Sequence, residues 1–434
     1  MPVRRSAAAS KKRGFFPPLA GCAGRHSQCL EKLTMSKQIQ DAYIVAATRT
    51  PVGKAPRGML RQVRPDDMLV HVLRSALAQV PAIEAQLVND VVVGCAFPEA
   101  EQGLNMARIG ALLAGLPDTV AGITVNRYCS SGLNAVQIAA DRIRLGEADV
   151  MIAGGAESMS MVPMMGNKVA LNPQIFAKEE NYAIAYGMGV TAEKVAAQWH
   201  VSREDQDAFA RESHRRAVAA RASGAFRPEI SPIEVTQRTA DLQAHEVRHA
   251  TRILAEDEGP RADTSPEALA KLKPVFDAKG TVTAGNSSQT SDGAAAVVLV
   301  SEAILKRYEL TPLARYVTFA VKGVPPAVMG IGPKVAVPAA LERAGLKQGQ
   351  LKWIELNEAF AAQALAVVRD LDLDPALVNP HGGAIALGHP LGATGAIRTA
   401  TLVHGMRARG EKGYGMVTMC IGTGMGAAGI FEVL

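Results

Sequence analysis

Short apolar runs alternate with segments of helical period along most of the chain. Ala42-Tyr43-Ile44-Val45-Ala46-Ala47 reads as a first strand, closed by the polar turn Thr48-Arg49-Thr50-Pro51. A helix over 67–80, a fully apolar strand from Asp90 to Cys95 and a helix over 104–115 follow. Ala121-Gly122-Ile123-Thr124-Val125 reads as a short buried strand. Behind it Leu133, Val136, Ala140 and Ile143 recur at helical spacing, and Gly146 stands where that helix should stop. Asp149 to Ala153 is another buried strand, ended by Gly154-Gly155. Strands alternating with helices in this way predict a layered α/β sheet.

The pattern breaks from about 159 to 285. Met159, Met161, Met164 and Met165 cluster there, then come helices and a charged, loop-rich stretch from Gln237 to Asp263, which together read as an inserted domain. Such methionines usually fill core gaps, though a flexible apolar wall would also suit a variable acyl chain. Strand character returns at Ala294–Val300, Trp353–Leu356, Tyr414–Cys420 and Ala427–Leu434. Gly382 to Leu402 repeats the layout of strand, tight turn and helix seen near residue 129, which points to a duplicated α/β unit.

Composition narrows the reading. At 434 residues and 48% apolar, with 40 glycines, the chain can bury a large core. The net charge of +6 comes from residues 1–34, which hold seven Lys/Arg and one acid. The remainder is neutral, so the bulk charge offers no case for nucleic-acid binding. No apolar run approaches the roughly 20 residues of a membrane span. Five cysteines without a CxxC pair fit a reducing compartment, with neither a disulfide framework nor a metal site. Residues 1–34 are read as disordered or never made, with Met35 as the natural start and the core beginning after residue 37. A lipoprotein site at Leu19-Ala20-Gly21-Cys22 and a transit peptide are the readings weighed against it. The expected location is cytoplasmic, with organellar import through the extension as the alternative.

Reactive groups gather at element ends. Cys129 stands between an apolar run and a helix, where free backbone N–H groups and the helix dipole favour a thiolate. A lone cysteine is more often a small buried hydrophobe. Asn357-Glu358-Ala359-Phe360 follows a strand and opens a helix, so Asn357 doubles as a candidate N-cap. His389 lies in the glycine-dense turn His381 to Gly395, where a ligand could approach the backbone closely. Cys420 begins a glycine-rich hairpin. Gly424, Gly426 and Gly429 spell GxGxxG, but too few residues follow for the helix and return strand of a dinucleotide fold.

Taken in order, these segments resemble the thiolase family. The motifs are Asn126 to Leu133, Gly154 to Met159, Thr283-Ala284-Gly285-Asn286, Asn357 to Phe360, Gly382 to Gly395 and Cys420 to Gly426, and the resemblance covers roughly 39–434. It implies a duplicated five-layered α-β-α-β-α fold. The N-terminal half would span 38–158, completed by about 286–310, with a loop domain at 159–285 and the C-terminal half at 311–434. It also implies 3-ketoacyl-CoA cleavage by a thiol. Cys129 would take up the acyl group, His389 would activate Cys129 and then coenzyme A, and Cys420 would handle the α-proton. The oxyanions would be held by His389 with an Asn357-bound water, and by the N–H groups of Cys129 and Gly422. Coenzyme A would be a co-substrate, with no permanently bound cofactor. Arg261 falls near its nucleotide by position, Ala284 and Ser288 near the pantetheine, and Ala359 and Phe360 along the tunnel.

Two departures from short-chain members, Gly187 beside the retained Met188 and the order Cys-Ser-Ser-Gly, favour a broader-chain, degradative enzyme over an acetoacetyl-CoA thiolase. A ketoacyl synthase would replace Cys420, and a non-catalytic acyl-CoA or lipid carrier need not keep the four polar groups together. The resemblance implies a homodimer or homotetramer.

Overall fold

The computed structural model describes residues 39–434. The basic extension and the Met35 start lie outside the described residues.

Nine main strands form the large sheet. The first five are β1 (Ala42–Arg49), β2 (Asp90–Gly94), β3 (Ala121–Val125), β4 (Val150–Ser158) and β5 (Ser291–Ser301). The other four are β6 (Ala314–Gly323), β7 (Leu351–Leu356), β8 (Gly413–Ile421) and β9 (Met425–Val433). Their order is β7-β8-β9-β6-β1-β5-β4-β2-β3, with Gly53–Lys54 added beside β5. The two half-sheets join edge to edge where β1 pairs with β6, at Tyr43↔Arg315 and Ile44↔Ala314.

Each half repeats one plan. In the first, β2 runs parallel to β3 and β4, while β4, β5 and β1 are successively antiparallel. In the second, β7 runs parallel to β8, and β8, β9 and β6 are antiparallel. Val378 forms a parallel bridge with Ile354, at the place β3 holds beside β2. The duplication is therefore topological.

Helices complete five layers. α1 (Pro65–Ala78) and α2 (Met106–Ala114) cover the outer face of the first half through Leu69, Val72, Leu73 and Met106. Pro65 at the first helical position, with Asp66 and Asp67 beside it, starts α1 favourably. α3 (Ser131–Arg144) is central, and two helices of the 159–290 segment follow it: α4 (Met188–Gln198) and α5 (Arg203–Ala222). α6 (Gly332–Ala344) and α7 (Ala361–Asp370) cover the outer face of the second half through Val337, Leu341 and Val367. α8 (Thr394–Ala408) lies beside α3. Leu133 and Val136 of α3, Leu402 and Val403 of α8, and strand residues such as Val92, Val297, Val417 and Phe431 share one core between the two half-sheets. The layer order is α-β-α-β-α.

Four local expectations change. β3 is a strand, yet it is the edge of the sheet, and Ile123 is 46% exposed. Gly154 and Gly155 do not end β4; its ladder with β5 runs on to Ser158, and residue 155 is glycine where a side chain would meet the Gly392 carbonyl at 2.4 Å. The charged stretch after residue 233 is largely a hairpin, Ile233–Asp241 with Glu246–Leu254. Its mostly exposed strands bury little, so no apolar alternation announces them. Finally, α7 starts at Ala361 with Phe360 as its cap, so Asn357 does not cap it.

Candidate active site

Cys129 sits in the one-turn helix Tyr128–Ser130 that joins β3 to α3. Local polar bonds lock this turn: the Tyr128 N–H donates to Asn126 Oδ1 (2.8 Å) and the Ser131 hydroxyl to the Tyr128 carbonyl (2.7 Å). Its position at a helix start suggests an acidified thiol, but burial outweighs that and pushes the thiol up to about 11. N–H groups of Gly422 and of Cys129 itself oppose the rise. The sulfur therefore rests as a thiol and requires a base.

The second half supplies the candidate base, His389. His389 is 4% exposed, with Nδ1 2.6 Å from Thr394 Oγ1 and its backbone N–H on Ser291 Oγ at 3.1 Å. Burial, aided by the Arg398 cation, pushes the imidazole down to about 3, so it is neutral at pH 7. Its Nε2 lies 3.3 Å from Asn357 Nδ2. Asn357 is fixed by its backbone N–H, which donates to the Thr418 carbonyl (2.9 Å), and its Oδ1 is buried without a protein partner. Cys420 is buried near the end of β8; burial first, and then the neighbouring Cys129, push its thiol well above the usual range. Gly422 opens the three-residue turn to β9, with Met188 and Tyr128 at its Cα. The His389 turn packs directly on the Cys129 turn, since a Cβ on Gly132 would lie 2.8 Å from the Gly392 carbonyl.

An apolar cluster surrounds Cys420: Ala192, Val282, Met329, Ala359 and Phe360, with Met188 against them. The methionines of 159–165 do not form the acyl-facing wall that is the alternative to core filling. Met159 Sδ instead meets the Ser291 N–H, and Met164 and Met165 are exposed. The wall comes from Met188 and Met329, which folding brings together. Phe276 stands edge-on to Phe360 at 6.0 Å and extends this surface; it was not picked out from the sequence.

A cavity of about 370 Å³ opens beside this cluster, lined by Lys54, His214, Arg261, Asp263, Ala284 and Gln289 among others. Arg261 and Ala284 thus share one cavity. Ser288 is not among the residues that line it; its N–H donates to the Ala359 carbonyl at 2.9 Å. Lys54 is a second cation that sequence reasoning missed; burial and Arg261 lower its ammonium pKa. Nothing local marks it, because 54 and 261 meet only in three dimensions.

Residues 42–303 match the model for the thiolase N-terminal domain and residues 310–433 that for the thiolase C-terminal domain, so the chain belongs to the thiolase family. Among its relatives is the 3-ketoacyl-CoA thiolase of Bacillus subtilis (strain 168), 52% identical over 395 residues that span 91% of this chain and all of the relative. The peroxisomal 3-ketoacyl-CoA thiolase of Homo sapiens is 42% identical over 421 residues, 96% of this chain and 95% of its own length. Among solved structures, the Bacillus anthracis acetyl-CoA acetyltransferase superposes with a TM-score of 0.82 at 38% identity, and human mitochondrial 3-ketoacyl-CoA thiolase with 0.81 at 37%. Each covers 92% of this chain and the whole of the solved chain.

Proposed function

We propose that this enzyme is an acetyl-CoA C-acyltransferase that cleaves 3-ketoacyl-CoA with coenzyme A in fatty-acid β-oxidation. The observation that carries the reading is the convergence of Cys129, Cys420, the Gly422 N–H and the His389–Asn357 pair beside an apolar wall and a cationic cavity.

In the proposed cycle His389 takes the Cys129 proton as sulfur attacks the 3-keto carbon. The C2–C3 bond then breaks, the acyl group stays on Cys129, and the leaving acetyl-CoA enolate takes a proton from Cys420. The proton held by His389 then passes to the Cys420 thiolate, which frees the imidazole. Coenzyme A attacks the thioester while His389 removes its thiol proton, and the shortened acyl-CoA leaves as that proton returns to the Cys129 sulfur. A resting thiol with a neutral imidazole suits this cycle, because the proton moves only as attack proceeds. One oxyanion is met by His389 and a water at Asn357, whose unpaired Oδ1 is free to accept from that water. The other is met by the N–H groups of Cys129 and Gly422. Each such donor is worth about 2.7–4 kcal/mol of transition-state stabilisation.

Lys54 and Arg261 line one cavity, and these two cations support its assignment to the phosphates of coenzyme A. Coenzyme A is a co-substrate, and no resident cofactor has a step to perform. The free thiols Cys95, Cys129 and Cys420 suit a reducing compartment, which we take to be the cytoplasm. Among the described residues no helix is long and apolar enough to cross a membrane. The exposed edge β3, with the exposed Ile123, Leu104, Leu112 and Leu113 in the same region, supports a homodimer or homotetramer.

Cys129→Ser should reduce thiolysis by at least about 10³-fold and abolish the acyl-enzyme adduct seen by intact-mass spectrometry; a variant that turns over normally rules the assignment out. Thiolysis kcat/KM from C4 to C16 substrates then reads the chain-length range, and a collapse beyond C4 would favour an acetoacetyl-CoA enzyme instead.

A further inference from the structure

We infer that Glu157 and Glu358 are positioning residues that hold the His389 turn at its two ends. Both are buried, 0% and 2% exposed, and neither has a step in the cycle above. Glu157, near the end of β4, accepts the Gly392 N–H at 2.8 Å, three residues after the histidine. Glu358, next to Asn357, accepts the Ile385 N–H at 3.2 Å, four residues before it. The glycines of this turn make the approach possible. A Cβ on Gly392 would lie 2.7 Å from a Glu157 oxygen, and one on Gly383 would lie 2.0 Å from the Glu358 carboxyl carbon. The turn is glycine-dense where two carboxylates must reach its backbone.

Glu157 also reaches the nucleophile's turn. The same oxygen that holds Gly392 accepts the Ala96 N–H (2.7 Å), while the other accepts Gln102 Nε2 (2.6 Å) and the Phe97 N–H (3.3 Å). The Ala96 carbonyl then accepts from Asn126 Nδ2 (3.0 Å), and Asn126 Oδ1 holds the Tyr128 N–H. One carboxylate thus links the turns of Cys129 and His389. Glu358 performs the parallel task, taking Asn379 Nδ2 on one oxygen (2.8 Å) and the Ser213 hydroxyl (2.7 Å) beside Ile385 on the other. Ser213 in turn accepts the Gly383 N–H (3.0 Å).

These contacts select anions. Burial pushes both carboxyls up, but the partners that surround each of them are donors that stabilise the charged form. A carboxamide at 157 would turn an N–H towards two of the donors and lose both bonds. At 358 it could turn its N–H towards Asn379 and keep its oxygen for Ser213 and Ile385. Glu157→Gln should therefore be the more damaging of the two amides.

The inference rests on His389 being the base, and the test separates the two. The full-length protein is assayed for alkylation of Cys129 by iodoacetamide, read by peptide mass, beside kcat and KM for coenzyme A. Glu157→Gln and Glu358→Ala should each lower alkylation and kcat about 10–100-fold, as expected for small misplacement of a catalytic group, with KM within about threefold. Glu358→Gln should lose less. In a His389→Ala background Glu358→Ala should slow alkylation by no more than about twofold, because the route it serves is gone. Folded variants with wild-type kcat and alkylation overturn the inference, as does a full additional loss in the His389→Ala background. If His389→Ala itself alkylates and turns over normally, the assignment of the base falls, and the inference with it. Should Glu157→Gln not fold, Gln102→Ala reads the same clamp: about a three- to fivefold fall supports it and no change overturns it.

Discussion

The two halves of the sheet share a strand plan and differ in what fills the gaps between strands. In the second half, β8 passes to β9 through Gly422-Thr423-Gly424, a tight turn that brings the Gly422 N–H to Cys129. In the first half the corresponding passage, from β4 to β5, carries residues 159–290, including α4, α5 and part of the cationic cavity. The loops after β2 and β7 diverge in the same way. Asn357, after β7, reaches His389, whereas Ala96 and Phe97, after β2, spend their N–H groups on Glu157. The duplicated frame supplies equivalent places. In the proposed cycle one half uses them for proton chemistry, and the other for the nucleophile, its support and the ligand entrance.

That division can be broken experimentally. The largest effect should follow loss of the base from the second half: His389→Ala should lower kcat for thiolysis about 10³-fold, within the usual range for general acid–base groups. A loss below about tenfold would mean that the first half activates Cys129 by itself. Cys420→Ser should slow α-proton exchange of acetyl-CoA about 10²-fold, and far more than it slows acylation of Cys129; equal losses would erase the separate roles of the two thiols. In the entrance, Lys54→Ala and Arg261→Ala should each raise KM for coenzyme A about five- to tenfold with kcat nearly unchanged, and the increase should shrink as salt screens the charges. A fall in kcat alone would place these cations elsewhere in the cycle.

Stability should not divide along the same line. Leu133 lies in the core shared by both half-sheets, so Leu133→Ala should cost about 2–5 kcal/mol. Circular dichroism and tryptophan fluorescence should still give one unfolding midpoint; two midpoints would mean that the halves unfold separately. A smaller, pH-dependent effect comes from His389 and His214, whose burial holds them at about 3 and about 4, below an unfolded value near 6.5. Between those values the unfolded chain binds protons that the folded chain refuses. Their contribution is thus intact above pH 6.5 and is lost as pH falls towards 4. Urea midpoints at pH 7 and pH 5 check the sign, and His389→Asn should flatten the difference.

Much of this arrangement was readable in one dimension. Cys129, Asn357 and Cys420 stand at or near strand ends, His389 follows the short helix Ala384–Leu387, and the tight turns around them follow from glycine content. β6 and the 233–254 hairpin carry no clear strand pattern, and β3 has the apolar run of a buried strand although it is an edge. An apolar run records that a strand suits a pleated surface, and it carries no count of the neighbours that will cover it. Lys54, Phe276 and Thr394 left no signal either, because each acquires meaning from a partner: Arg261, Phe360 or His389.

By itself, then, the sequence determined the series of elements, the junctions that hold reactive side chains and the family to which the chain belongs, since all of these depend on local patterning and ordered motifs. Tertiary structure decided the chemistry of those side chains. At a helix start Cys129 alone would be acidified. In the fold, desolvation raises its thiol and the Gly422 N–H of the β8–β9 turn opposes that rise, while burial and Arg398 keep the His389 imidazole neutral. Desolvation sums over atoms brought from every part of the chain, and only the folded protein assembles that sum.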